Sequence, residues 1–254
     1  MVDLHCHILP GLDDGAETQE ESLQMAESAI ADGITHVVAT PHCSDEFRFD
    51  YARVRKARDE LQEAIGPRLE ISTGCDFHVT PENLAQLRTE SARFCINQRN
   101  YLLIEFNEFS IPPSMNQTLH ELRLAGICPV VTHPERNRIL RSEPQRLMDW
   151  IGLGCRVQVT AGSLTATFGK TAQERARSWI GGGIVHIVAS DAHNTRRRPL
   201  VLRPAYEVVL QEFGSAIAEA LFVDNPSAAV AGRPLPYVPD VQEPRRAKRR
   251  FWFF

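Results

Sequence analysis

Seven short runs rich in valine, isoleucine, leucine and cysteine recur along the chain, with helical stretches between them. Each run has the length and composition of a buried β-strand. They span residues 2–6, 36–40, 70–75, 101–106, 128–133, 155–160 and 185–190. Because strands that alternate with helices form a parallel sheet, we predict an α/β fold. Seven such repeats in 254 residues favour a closed or nearly closed (β/α)7 barrel over an open sheet.

Helix-start and helix-stop signals support a helical conformation for the stretches between these runs. Thr18 precedes one stretch and Glu21 follows three residues later, which is a capping-box pattern. Gly33 ends that stretch, and Gly66 ends the next. The predicted helices span residues 18–31, 50–65, 114–125, 143–153, 170–180 and 202–212.

Composition identifies a globular protein and limits its partners. Hydrophobic residues make up 43% of the chain and charged residues 24%, so a disordered chain is excluded. The formal net charge is −4, and a cluster of basic residues at the end of the chain leaves the rest more acidic. An acidic body argues against nucleic-acid binding. We expect a single domain over residues 1–235, followed by a basic, aromatic tail over residues 236–254.

Cysteine usage and the first residues indicate the cellular location. The six cysteines form no C-x-x-C pair, and most lie within the apolar runs, as expected of buried thiols in a reducing cytoplasm. The sequence up to His7 lacks the basic start and apolar core of a signal peptide. No apolar run approaches the roughly 20 residues of a membrane span. We therefore expect a cytoplasmic protein.

Ionisable side chains lie at or just after the carboxyl ends of six of the seven predicted strands. In barrels of this type the reactive side chains lie at the carboxyl ends of the strands, so this pattern supports the fold prediction. Only the sixth strand ends without such a group, at residues 160–163. The others lead into His5, His7, Asp13 and Asp14, then His42, Asp76, Glu105, His133, and finally Asp191 with His193. Since side chains alternate along a strand, His5 and His7 point one way and Cys6 the other.

Imidazoles and carboxylates in this combination are typical ligands of zinc, manganese and iron. Nine candidate ligands, with Asp13 and Asp14 counted as one, exceed the need of one ion, whereas two or three ions that share bridging carboxylates would use them all. Clustered carboxylates also repel each other unless cations neutralise them. At such a centre a bridging water loses a proton near neutral pH and attacks an electrophile. His36, His120 and His186 lie elsewhere in the predicted fold, and the position of His78 is ambiguous.

Arginines near the predicted centre favour a phosphate ester as the electrophile. Arg136 follows His133 by three residues, and residues 196–198 are three consecutive arginines after His193. A guanidinium group offers paired donors that match phosphate oxygens. The pattern therefore indicates a phosphatase.

Two other hydrolase classes fit less well. Amidohydrolases of related architecture usually bridge two metals through a modified lysine on strand four, but here that strand ends in Glu105, and no lysine ends a predicted strand. A cysteine-dependent phosphatase needs an arginine six positions after its cysteine. Cys43 comes nearest, with Arg48 five positions on.

The segments DLHCHILPGLDDGA, TPHC, GCDFH, LLIEF, VTHPERN and ASDAHNTRRRP together resemble the polymerase-and-histidinol-phosphatase (PHP) superfamily. The branch that they most resemble comprises the manganese-dependent tyrosine phosphatases encoded with bacterial capsule and exopolysaccharide systems. The resemblance covers roughly residues 1–225 and implies a distorted seven-stranded β/α barrel with a trinuclear site. It implies the metal ligands His5, His7, Asp14, His42, Asp76, Glu105, His133, Asp191 and His193. Asp14 is favoured over Asp13, and Arg136 and Arg198 are implied to contact phosphate.

The same resemblance implies a substrate, which is phosphotyrosine on the tail of a membrane-bound tyrosine autokinase that controls polysaccharide export. Two alternatives stay open at this point. One is a small-molecule phosphatase similar to histidinol phosphatase, and the other is a non-catalytic module that binds metal or partners. The complete ligand set argues against the non-catalytic module. Iron and zinc are the alternatives to manganese.

Two features depart from the family pattern. The strand-three ligand is usually glutamate, and here it is Asp76, whose side chain is about one methylene shorter. The shorter reach predicts either a backbone that moves inward or one weakly held ion. The second departure is the tail PRRAKRRFWFF, for which we expect a disordered end; contact with an anionic membrane surface is its alternative.

Overall fold

Strands and helices alternate along the chain in a computed structural model, which describes residues 1–241. The strands are β1 (Val2–Cys6), β2 (His36–Ala39), β3 (His42–Cys43), β4 (Glu70–Thr73), β5 (Asp76–His78), β6 (Tyr101–Glu105), β7 (Cys128–Thr132), β8 (Arg156–Thr160) and β9 (Ile187–Ala189). The helices are α1 (Gln19–Asp32), α2 (Tyr51–Ile65), α3 (Pro81–Thr89), α4 (Met115–Leu124), α5 (Arg138–Ser142), α6 (Pro144–Gly152), α7 (Ala161–Leu164), α8 (Lys170–Gly181), α9 (Arg203–Phe213), α10 (Ser215–Glu219) and α11 (Asn225–Val230). Short 3₁₀ turns lie at Gly66–Arg68, Ser91–Arg93 and Ile96–Gln98, and a π-helical turn lies at Ala220–Asp224.

The strands pair in parallel and form two sheets. One sheet has the order β1-β2-β4, and the other has the order β3-β5-β6-β7-β8-β9. Past the ends of two predicted strands, at residues 40 and 75, the chain enters a short strand of the other sheet, because the ladder is interrupted after β2 and after β4. Pro41 lies at the first break and has no N–H to donate. Gly74 lies at the second, where a Cβ would come within 3.1 Å of the Thr40 side chain.

The first and last strands approach each other and nearly close the structure. Asp191 N donates to His5 O at 2.8 Å, and His7 N donates to Ala192 O at 2.8 Å. These bonds accompany an isolated parallel bridge between Cys6 and Ala192. The predicted α/β fold is confirmed, and its distortion consists of these interruptions in the ladder.

Local signals explain the helices that the sequence predicted. Thr18 caps α1 by accepting a hydrogen bond from Glu21 N at 3.2 Å, and Gly33 ends it in the left-handed conformation at φ 87°. Asp50 caps α2 in the same way. The structure adds α3, α5, α7, α10 and α11, which are all short and carry too few periodic apolar residues to be recognised.

The two ends of the sheet differ in character. At the amino-terminal ends of the strands, Val2, Tyr101 and Cys128 are buried in an apolar cluster with Ala228 and Ala229 of α11. At the carboxyl ends lie buried ionisable side chains, among them Asp76, Asp191 and His193. Among residues 1–241, no helix is both long enough and apolar enough to cross a bilayer. Of the predicted tail, residues 242–254 lie outside the described part of the chain, and the domain boundary at residue 235 stays a prediction.

Candidate metal centre

The nine side chains that the resemblance implies as ligands come together at the carboxyl ends of the strands. Most are buried, Asp14 is exposed, and His42 and Glu105 are intermediate. Their donor atoms form overlapping groups whose members all lie within 4.8 Å of one another. The groups are His7, Asp14, His42 and His193; His42, Asp76, His78 and Glu105; His5, His7 and Asp76; and His5, His133 and Asp191.

The two neighbouring aspartates after β1 have different environments. Asp14 Oδ1 lies 3.4 Å from His42 Nε2 and 3.4 Å from His193 Nε2, within the first group. Asp13 is not a member of that group, but it accepts a hydrogen bond from His7 Nδ1 at 2.7 Å and another from His42 N at 2.9 Å. A Cβ at Gly15 would lie 2.1 Å from His7 O, so only glycine allows the loop to pack this closely.

Fixed acceptors orient the rings of three histidines. His5 Nδ1 contacts Gln158 Oε1 at 3.1 Å, His7 Nδ1 contacts Asp13 Oδ2, and His193 Nδ1 contacts Asp191 O at 3.0 Å. Because these oxygens only accept, each Nδ1 carries the proton and each Nε2 keeps its lone pair. His5 Nε2 and His7 Nε2 then face each other at 3.2 Å. Two facing lone pairs at this distance require a proton or a cation between them.

The carboxylates create a potential that favours positive charge. Burial lowers the pKa of His5, but the charges of Asp76 and Asp191 outweigh burial and raise this pKa to about 9. Burial also lowers the pKa of His42, whereas contacts with Asp14 and Asp76 raise it to about 11. A divalent cation at this position would displace those protons and interact with the same carboxylates.

Burial and neighbouring charges also shift the pKa values of other members of the cluster. Burial and the neighbouring charge of Asp76 raise the pKa of Glu105. Burial and the nearby Arg136 guanidinium lower the pKa of His133 well below its ordinary value. Burial and His7 lower the pKa of His193 to about 4. Both imidazoles are therefore neutral near pH 7, which is the form that coordinates a metal.

The donor set therefore fits divalent cations. Asp76 is fully buried, yet neither of its carboxylate oxygens makes a hydrogen bond within residues 1–241. Buried polar atoms of this kind destabilise a protein unless another group satisfies them. The backbone is also strained here, since His133 has φ 33° and Asp191 has φ 54°. Nitrogen and carboxylate oxygen ligands match zinc, manganese and iron.

Arg136 and Arg198 lie on the same side of the cluster. An Arg136 nitrogen contacts Asp191 Oδ2, and Arg198 Nη2 lies 2.5 Å from the same oxygen. Phe168 packs against both, with its ring centre 4.2 Å from the Arg136 guanidinium carbon and 5.9 Å from that of Arg198. Arg196 and Arg197 are exposed. Of the three consecutive arginines, Arg198 therefore contacts the cluster, whereas Arg196 and Arg197 are exposed to solvent.

Sequence reasoning missed two residues of the site. His78, which the sequence left ambiguous, contacts Glu105; its spacing of two from Asp76 on one strand was the signal. Glu135 is fully buried and accepts hydrogen bonds from Thr160 N at 2.9 Å and Ser163 Oγ at 2.7 Å. The end of the sixth predicted strand therefore anchors the loop that carries Arg136.

The remaining histidines and the cysteines lie outside the cluster. His36 contacts Ser72 at the start of its strand, at 2.8 Å, and His120 is exposed. All six cysteines are buried free thiols. Cys6 belongs to the apolar core, and its thiol contacts Val38 O at 3.4 Å. This geometry disfavours a cysteine nucleophile.

The fold and these side chains define a parallel α/β protein with a cluster of metal-ligand groups at the carboxyl ends of its strands. A family model described as capsular polysaccharide synthesis, CpsB/CapC, matches residues 1–231. The chain belongs to this family. The resemblance to capsule-associated phosphatases that the sequence showed is confirmed.

Individual relatives agree with this assignment. The chain is 33% identical to the tyrosine-protein phosphatase YwqE of Bacillus subtilis over 262 residues, or 100% of both proteins. It is 29% identical to the tyrosine-protein phosphatase CpsB of Streptococcus pneumoniae, over 89% of this chain and 96% of CpsB. A crystal structure described with YwqE and CpsB as unique metal-dependent tyrosine phosphatases matches with a TM-score of 0.88 at 32% identity, and the match covers 96% of this chain and 100% of that one. The lactonase Lmo2620 of Listeria monocytogenes, at TM-score 0.57 and 12% identity, shares the fold alone.

The contact between Asp13 and His7 gives a first test of the centre. Asp13→Ala removes the acceptor that orients the His7 ring, so we expect metal affinity to fall by about tenfold to a hundredfold. The measurement is manganese per chain, by elemental analysis after dialysis against a fixed concentration of free ion. Asp45→Ala, which alters an exposed acidic residue, is the control. Wild-type manganese content in Asp13→Ala would show that Asp13 does not support the centre.

Proposed function

We propose that the protein is a metal-dependent phosphomonoesterase that hydrolyses phosphotyrosine in proteins. The observation that carries this proposal is the position of two arginines beside a cluster of metal-ligand side chains, on one side of Asp191. The ligands proposed are His5, His7, Asp14, His42, Asp76, Glu105, His133, Asp191 and His193. We propose two or three manganese ions, with iron and zinc as alternatives.

Divalent cations held by these side chains would supply a water that ionises near neutral pH and would stabilise the charge that develops on the phosphoryl oxygens. The chain's own residues position these groups. Gln158, Asp13 and the carbonyl of Asp191 hold three imidazoles in the tautomer that presents Nε2 to the centre. Fixed ligand positions lower the cost of reorganisation during the reaction.

The two arginines have the geometry to bind the remaining phosphate oxygens. Each guanidinium has five N–H donors, and its contact with Asp191 uses only part of them. Arg198 Nε is buried and makes no hydrogen bond within residues 1–241, so it has a free donor. Stacking on Phe168 restricts the Arg136 side chain, which reduces the entropy lost when phosphate binds. Both arginines would therefore contact phosphate rather than metal.

The lysines argue against amide hydrolysis through a modified lysine. Lys56 and Lys170 are exposed and lie near Glu60 and Glu174 on their own helices, and Lys248 lies outside the described residues. An aryl phosphate also suits the site, because a phenol with a pKa of about 10 leaves more readily than an aliphatic alcohol. The tyrosine phosphatases among the relatives support this substrate over histidinol phosphate.

The physiological partner that we propose is a membrane-bound bacterial tyrosine autokinase that controls capsule or exopolysaccharide synthesis. The family's description in capsular polysaccharide synthesis supports this choice. We propose a cytoplasmic location, where the phosphorylated tail of such a kinase would lie. Any membrane contact of the protein itself would involve the basic, aromatic tail of residues 236–254.

Metal dependence is the first expectation of this function. Chelation with EDTA should abolish hydrolysis of a phosphotyrosine peptide, and added manganese should restore it, because the site has no cysteine nucleophile within reach. Parallel assays with iron, zinc and histidinol phosphate identify the metal and the substrate class. Full activity of a demonstrably metal-free preparation, or hydrolysis of histidinol phosphate alone, would contradict the proposal.

Phosphate binding by Arg136 is the second expectation. Charge-assisted contacts contribute roughly 1.5–3 kcal/mol, so Arg136→Ala should lower kcat/KM by about tenfold to a hundredfold with unchanged metal content. Arg136→Lys should recover only part of the loss, because an ammonium group lacks paired donors. Arg138→Ala, two residues away and exposed, is the matched control. Near-normal kinetics of both Arg136→Ala and Arg198→Ala would leave phosphate recognition unexplained.

A further inference from the structure

His78 lies beside two of the proposed ligands, and strand register accounts for its position. His78 and Glu105 are paired residues of β5 and β6, and His42 and Asp76 are paired residues of β3 and β5. Asp76 and His78 are two residues apart on β5, so their side chains project to the same face. The backbone alone therefore gathers these four side chains into one patch.

The donor atoms of this patch converge. His42 Nδ1 lies 3.3 Å from Asp76 Oδ2 and 3.4 Å from Glu105 Oε2, and His78 Nε2 contacts Glu105 Oε2. These donor and acceptor atoms are buried, and none makes a hydrogen bond of normal geometry within residues 1–241. The Asp76 and Glu105 donor oxygens lie within 4.8 Å of each other, so these two carboxylates need a positive charge between them.

His42 cannot serve every group that it touches. Its Nε2 lies 3.4 Å from Asp14, in the group that also contains His7 and His193. A neutral imidazole has one nitrogen lone pair available for coordination. If His42 binds a metal through Nε2, its Nδ1 therefore carries the proton. That N–H then donates to Asp76 or Glu105. The β5–β6 patch is left with two carboxylates and with His78 as its own nitrogen donor.

We propose that His78 is a tenth metal ligand, which completes one divalent-cation site with Asp76 and Glu105 at the carboxyl ends of β5 and β6. Two carboxylates balance the charge of the ion, and neutral His78 supplies the third ligand. The His78 side chain is 30% exposed, so this position borders the solvent from which substrate arrives. The inference rests on the proposed metal-dependent function, and it gives the short Asp76 side chain a partner on its own strand.

Metal titration of the folded protein tests this assignment. Calorimetric titration of metal-depleted protein with manganese should show that His78→Ala binds one ion about tenfold or more weakly, with the other ions unaffected. His78→Arg separates coordination from an ion pair, because arginine keeps a positive charge beside Glu105 but cannot ligate. We expect His78→Arg to lose the same ion.

His120→Ala, which removes an exposed histidine of α4, is the control and should bind manganese as the wild type does. Melting temperatures of the metal-free proteins establish that the variants fold. Wild-type stoichiometry and affinity in His78→Ala, or wild-type binding retained by His78→Arg, would overturn the inference. Metal binding is measured without phosphate-ester hydrolysis. A wild-type protein that binds manganese but hydrolyses no phosphotyrosine therefore contradicts the proposed function and leaves this inference standing.

Discussion

Mutual repulsion among clustered carboxylates is the constraint on which the functional end of this protein depends. Asp14, Asp76, Glu105 and Asp191 gather where the strands end, in overlapping groups of donor atoms, and donor oxygens of Asp76 and Glu105 lie within 4.8 Å of each other. Arg136 and Arg198 both form their ion pair in the cluster with Asp191. The raised pKa values of His5 and His42 show the same need for positive charge. Divalent cations would meet that need and would also supply the chemistry of phosphate-ester hydrolysis.

The scaffold holds these groups in place from two sides. Parallel strands bring their carboxyl ends to one edge, and the first strand meets the segment after the last through hydrogen bonds between residues 5–7 and 191–192. Behind the ligands, Asp13 and Gln158 fix two imidazoles, and Glu135 ties the Arg136 loop to β8. The left-handed backbone at His133 and Asp191 is tolerated because the surrounding contacts determine it. At the other end, α11 covers the apolar starts of the strands.

Much of this organisation could be predicted from the sequence, because apolar runs and the ionisable residues that follow them are local signals. The exceptions have physical causes. The break after β4 depends on the close approach of Gly74 to Thr40, which no periodicity reports. Helices α5 and α7 are too short for a periodic pattern. The position of His78 follows from its pairing with Glu105, and the role of Glu135 follows from contacts with residues 160 and 163. Neither the pairing register of the strands nor these tertiary contacts can be read from the sequence.

Anomalous diffraction from crystals of the manganese-loaded protein, recorded at the manganese absorption edge, tests the central claim most directly. The account predicts two or three peaks among the side chains at the carboxyl ends of the strands, each within coordination distance of imidazole nitrogens and carboxylate oxygens. One peak should lie between Asp76, Glu105 and His78. A map without anomalous peaks at this end of the sheet, with the carboxylates paired directly to protonated histidines, would contradict the account.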